Sequence, residues 1–157
     1  MRTSLKDLLE KIPRYRGNSN KWPGLRVKIG WREYRLVMSY DGQFAEVCGR
    51  KGTDARRVFA KLELATGRAE LCDMGRCCQP LSERDLSVFR AVWHDPVAWC
   101  DEHGRTHHFC CFCGEALTRS ASTERGYGPV CAQRYGLPWG NRGYGMSMAQ
   151  VSQALFD

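Results

Sequence analysis

Cys110 and Cys113 are separated by two residues, and Gly114 follows the second of them. Such a gap fits a tight turn that aims both sulfurs at one point. A glycine just after it lets backbone amides face the sulfurs without a side-chain clash. A third cysteine, Cys131, lies in the run Gly126-Tyr127-Gly128-Pro129-Val130-Cys131. Proline suits the first turn of a helix, so Cys131 is expected near a helix N-terminus, where free amides and the helix dipole favour a thiolate. The chain from 110 to 131 must then fold back so that three sulfurs meet. A metal ion rewards that arrangement. Zn²⁺ takes four ligands in a tetrahedron, with sulfur at ~2.3 Å. The spacing predicts a structural Zn²⁺ held by Cys110, Cys113 and Cys131 in a treble-clef-like module: a knuckle, a connecting hairpin, then a helix that carries a cysteine.

In the full pattern a fourth ligand stands three residues after the helix cysteine. Here that residue is Arg134, which cannot ligate. The fourth ligand is therefore expected from His107, His108, Cys111, Cys100, His103, Cys72, Cys77 or Cys78. A ligand from outside the local pattern would tie the zinc module to the residues before it. Cys77, Cys78, Cys100 and His103 are alternatively the makings of a second site, against a plainer reading as small buried hydrophobes and surface histidines.

Nine cysteines are an odd number, and two of the groups are adjacent pairs. Residues 1–7 hold no apolar stretch of the kind that opens a signal peptide, and no run approaches the ~20 apolar residues of a membrane span. A reducing compartment, the cytoplasm, is expected, with no membrane partner. Clustered cysteines there read as metal ligands rather than disulfides.

The formal charge of +7 is concentrated. Residues 1–35 carry ten basic side chains and three acidic ones, so the whole excess lies there and the remainder balances. A localised basic segment calls for an anionic partner: nucleic acid, or an acidic protein surface. Arg14, Arg16, Lys21, Arg26, Lys28 and Arg32 are the candidate phosphate contacts, and Trp22 is the neighbouring ring for base stacking, with Tyr15 and Trp31 also available. The plainer alternative is a solvated basic face.

The fold class expected is α+β: an antiparallel β-meander covered by helices, followed by the zinc module. Ser4 and Asp7 frame a short helix whose Leu5, Leu8, Leu9 and Ile12 share a face. Residues 1–24 thus read as a basic helix and loop. Residues 25–104 read as the meander plus two helices. Leu25 to Ile29 is a strand. Tyr34, Leu36 and Met38 alternate with polar neighbours before the hairpin signal Asp41-Gly42. Phe44 to Cys48 follows, then Val58, Ala60, Leu62 and Leu64 in alternation with Arg57, Phe59, Lys61 and Glu63, then a short strand near Ala69 to Cys72. Ser82 with Asp85 caps a helix that presents Leu86, Phe89, Val92 and Trp93. Asp95-Pro96 separates it from a second helix ended by Gly104. Residues 105–140 are the zinc module, and 141–157 a C-terminal tail with a short helix.

The residues 110–140 carry a further pattern: Cys110-x-x-Cys113-Gly114-x-x-Leu117, then Ser120 or Ser122, then Gly126-Tyr127-Gly128-Pro129-x-Cys131, then Tyr135-Gly136-Leu137-Pro138-Trp139-Gly140. This resembles an uncharacterised, zinc-binding domain-of-unknown-function family of actinobacterial and bacteriophage proteins, found alone or appended to helicase-like enzymes. The resemblance covers about a fifth of the chain. It implies metal binding through Cys110, Cys113 and Cys131, a bacteriophage (viral) origin and work connected with nucleic acid. It implies no enzymatic activity.

Catalysis is not expected. A three-cysteine zinc leaves a position for water in principle, and Glu115 stands next to the knuckle. A nucleotide deaminase, however, needs His-x-Glu ahead of Pro-Cys-x-x-Cys, and that order is missing. Pairing Cys100 with His94 or His103 as a nucleophile is the kind of match that nine cysteines and four histidines produce by chance. The Gly126-Tyr127-Gly128 loop lacks the lysine and spacing of a P-loop. Two readings remain: a zinc-stabilised nucleic-acid-binding protein, and a phage or accessory protein that binds and inhibits a host or defence protein.

Overall fold

The computed structural model describes residues 3–12, 24–49, 57–73, 81–137 and 139. The basic stretch that includes Arg14, Arg16, Lys21 and Trp22, the Cys77 and Cys78 pair, and the C-terminal tail lie outside them. The chain divides into two compact units, Met1–Pro96 and Val97–Asp157. Among the described residues no helix is long and apolar enough to cross a membrane.

The first unit is an antiparallel sheet with helices against it. Helix α1 (Leu5–Glu10) begins with a reciprocal capping box: Asp7 N donates to Ser4 Oγ, and the Asp7 carboxylate accepts from Ser4 N. Its Leu5, Leu8 and Leu9 are buried, and it packs on β2 and α2. The sheet has five strands in sequence order: β1 (Leu25–Ile29), β2 (Arg32–Met38), β3 (Phe44–Gly49), β4 (Val58–Glu63) and β5 (Ala69–Leu71). Every neighbouring pair is antiparallel, as a meander requires. The β2–β3 turn is tied by the Asp41 carboxylate, which accepts from Ser39 Oγ at 2.6 Å and from Gln43 N at 3.0 Å.

Register places Leu25, Val27, Leu36, Val47 and Leu62 on one face, and all five are fully buried. Simple alternation puts Phe59 on the opposite face. Instead the register slips between Val47 and Cys48, so Phe59 is an extra residue in β4. A bulge turns its side chain, and Phe59 is buried edge-on to Tyr34, with ring centroids 5.4 Å apart.

Helix α2 (Glu83–His94) has a second capping box, Ser82 with Asp85. It buries Leu86, Phe89 and Val92 and packs on β1 and β5. Trp93 is half-buried and donates from Nε1 to Leu64 O at 2.8 Å. Asp95 ends this helix, and α3 (Pro96–His107) starts at once.

Candidate metal centre

The second unit contains α3, a knuckle turn, α4 (Ser120–Arg125) and α5 (Pro129–Tyr135). Sequence reading groups α3 with the meander and ends it at Gly104. The helix runs through that glycine to His107, and all of it after Pro96 falls in the second unit. The reason is close packing. A Cβ on Gly104 would lie 2.4 Å from Gly126 Cα and 2.4 Å from Thr123 O. The glycine is a contact point inside the helix, not its end. On the other side of the crossing, a Cβ on Gly126 would lie 1.7 Å from Cys100 O. Gly126 also has φ 80°, where a side chain is strained, and it caps the C-terminus of α4.

The knuckle is a small hairpin. Phe109 bridges Ala116, Cys110 N donates to Glu115 O, and Leu117 N donates to His108 O, both at 2.8 Å. Gly114 N closes the turn on Cys110 O, and Phe112 N donates to Cys110 Sγ at 3.4 Å. The connection onward, expected as a hairpin, is helix α4. The run Ser120-Ala-Ser-Thr-Glu-Arg has no strand alternation, and Gly126 terminates it in the left-handed region. Gly128 then caps α5, with Pro129 at its first position, and Cys131 falls in the first turn, buried.

Cys110, Cys113 and Cys131 come together, with their sulfurs within 4.8 Å of one another. Cys110 Sγ and Cys131 Sγ are 3.7 Å apart. A tetrahedron with ~2.3 Å metal–sulfur bonds has edges of ~3.8 Å, so the Cys110 and Cys131 thiols already stand at about the spacing a tetrahedral ion demands, with Cys113 within reach. The donor set can hold a metal ion. Electrostatics agrees. Hydrogen bonds from Cys113 and Cys131 hold Cys110 well below the ordinary thiol range, and the same bonds push Cys113 and Cys131 up. A cation in their midst would take the place of their protons.

The other expected ligands are placed as follows. Among the described residues the group consists of these three cysteines. Cys111 faces away from it, toward Cys100, with sulfurs 3.3 Å apart and both residues buried. Burial, then the contact with Cys100, pushes the Cys111 thiol up. His103 is buried beside His107, with ring centroids 4.9 Å apart, and His108 is exposed at φ 57°. Arg134 is exposed. Cys72 lies after β5 in the first unit.

The centre rests on an aromatic core. Phe112 packs at a tilt against Tyr135 and Tyr127, with ring centroids 4.8 Å and 5.9 Å away. Trp139 is buried and donates from Nε1 to Ser122 Oγ at 3.0 Å, which fastens the segment after α5 to α4. Arg119 sits over the same indole. The sequence pattern holds both Ser122 and Trp139, but their pairing is visible only in three dimensions. Above the thiols lies a cavity of about 230 Å³ whose wall includes Cys110, Cys113, Cys131, Thr118, Arg119 and Ser122.

Residues 101–136 match DUF6011, a family of unknown function. The matched stretch runs from α3 to the end of α5 and contains all three clustered cysteines. It also contains Gly104 and Gly126, whose close approach joins α3 to α4. No curated protein matches the chain, and no solved structure does.

The expected nucleic-acid residues within the described part belong to the first unit. Arg26 and Lys28 share the face of β1 opposite to Leu25 and Val27. Arg26 lies 3.5 Å from Glu33, and Lys28 is exposed. Arg32 pairs with Ile29 and so lies on the other face, its guanidinium 5.1 Å from the centre of the Tyr34 ring.

Proposed function

We propose that this is a small non-catalytic protein whose second unit is built round one structural Zn²⁺ and which binds nucleic acid through its basic N-terminal region. The observation that supports the metal is the convergence of Cys110, Cys113 and Cys131, whose sulfurs all lie within 4.8 Å of one another, with the Cys110–Cys131 pair at 3.7 Å, close to the ~3.8 Å edge of a zinc–thiolate tetrahedron. A knuckle followed by a helix-borne cysteine supports a treble-clef-like module. Zinc fits better than harder ions, because thiolates are soft donors and Zn²⁺ accepts four of mixed kind. Bound there, the ion supplies cross-linking: it ties the knuckle to α5 across a chain that otherwise has only short elements to hold it. Phe112, Tyr127 and Tyr135 pack beneath, and Gly126 sets the distance to α3.

The nucleic-acid half of the reading is supported by charge. The full +7 excess lies in residues 1–35, and Arg26 and Lys28 extend that basic stretch onto one face of an edge strand. Arg14, Arg16 and Lys21 would contact phosphates, and Trp22 would stack on bases. The pattern at 110–140 supports a bacteriophage origin and a place of work in the bacterial host cytoplasm. The test is binding of single- and double-stranded DNA and RNA at ~50 mM salt and above. Electrostatic binding weakens steeply as salt rises. No affinity at low salt, or affinity unchanged when Arg14, Arg16 and Lys21 are reversed to Glu, overturns it. A protein partner that co-purifies after nuclease treatment would favour the host-protein inhibitor instead.

A further inference from the structure

We propose that the metal position at Cys110, Cys113 and Cys131 is an open one, whose fourth coordination place faces the adjoining cavity and takes an exchangeable small neutral donor: water, displaced by an imidazole-type nitrogen. This rests on the metal reading above and adds a ligand-binding site to it.

Three observations carry the inference. The three thiols lie in the wall of one cavity, so among the described residues the space beside their triangle is that cavity. Its volume of about 230 Å³ far exceeds the ~30 Å³ share of one water molecule. A ligand of several non-hydrogen atoms fits. Cys113 is exposed while Cys110 and Cys131 are buried, so the centre can be reached from solvent on the Cys113 side. A closed structural site has its ligand sphere completed by protein, whereas a site with three protein ligands keeps a place for solvent.

Charge selects the class of ligand. Three thiolates on a divalent ion leave one net negative charge, so a further anion is repelled and a neutral donor is favoured. Nitrogen suits the borderline-soft ion. The wall offers Thr118 and Ser122 hydroxyls, Glu115 and Arg119 as charges of opposite sign, and Val130 as an apolar side. That surface suits a small polar ring better than a phosphate or a carboxylate.

The experiment uses the full chain with its metal. Zinc-loaded protein examined by X-ray absorption should show three sulfurs and one nitrogen or oxygen around the metal. In cobalt-loaded protein, imidazole should shift the visible d–d bands saturably, with the sulfur-to-cobalt charge-transfer band retained. Val130→Phe, at an exposed wall position, should weaken imidazole about tenfold and leave cobalt affinity unchanged. Four sulfurs with a spectrum indifferent to imidazole overturn the inference and leave the metal reading standing. A Cys77→Ser or Cys78→Ser change that alters the cobalt spectrum also overturns it, by showing that the chain closes the site itself. A protein that takes up neither zinc nor cobalt overturns both.

Discussion

Replacing Gly126 with alanine perturbs two things at once, and the structure separates them. At φ 80° a side chain is strained, which costs about 1–2 kcal/mol. The new Cβ would also lie 1.7 Å from Cys100 O and 2.5 Å from Cys100 C. Both are backbone atoms inside α3, so no rotamer change relieves the clash, and the helix itself must move. Overpacking of that kind costs about 1–3 kcal/mol. Together the two effects amount to about 2–5 kcal/mol, a large share of the 5–15 kcal/mol that stabilises a typical domain. Gly136 is the internal control. It has φ 63°, and a Cβ there meets nothing within 4 Å, so Gly136→Ala should show the strain alone, about 1–2 kcal/mol. Urea unfolding at fixed metal concentration, followed by tryptophan fluorescence, measures both. Gly126→Ala should also weaken metal binding, because Cys111 N donates to Gly126 O next to the first ligand. Equal losses for the two variants would refute the claim that α3 and the Gly126 turn are in direct backbone contact.

Ser82→Ala removes the hydroxyl that accepts from Asp85 N at the start of α2; a loss of about 1 kcal/mol is expected by chemical denaturation. The Asp7 carboxylate is held below the usual aspartate range by its hydrogen bonds with Ser4. Its capping contribution is therefore present above the unfolded-state pKa and is lost as pH falls through the lower folded one, and far-UV circular dichroism of Asp7→Asn should not show that acid-side change. Acidification should also release the metal, since Cys113 and Cys131, whose thiols sit high, must stay deprotonated to ligate; retention of zinc in dilute acid argues against thiolate ligation. For nucleic acid, each phosphate-contacting residue among Arg14, Arg16, Lys21 and Lys28 changed to Gln should lower the slope of log affinity against log salt by about one. A slope that stays constant removes those residues from the interface.

Much of the first unit is legible in the chain because local signals there agree. Alternation marks the strands, Asp41-Gly42 marks a hairpin, and Ser4-x-x-Asp7 and Ser82-x-x-Asp85 mark two helix starts that the structure reproduces. Phe59 escapes that reading because a bulge adds one residue, and a shift of one residue reverses the face. Gly104 misleads for a different reason. Glycine ends helices by conformation, but here it serves a close approach between two backbones, which depends on Gly126 more than twenty positions away. The clustering of Cys110, Cys113 and Cys131 is legible from spacing and from the Pro129 helix start. The pairing of Cys100 with Cys111 is not, because it is set by how α3 packs. Helix α4 hides in a short polar run whose only terminator is Gly126. The cavity over the thiols is a property of the assembled walls, and no residue spacing announces it.

The metal is the centre of the account, and its stoichiometry is the most direct measurement. Full-length protein purified without chelator should contain about one zinc per chain, as one four-ligand site requires. Cys113→Ser should lose most of that zinc and much of its stability with it. A metal-free native protein, or a Cys113→Ser variant as stable and as zinc-rich as the parent, would contradict the account.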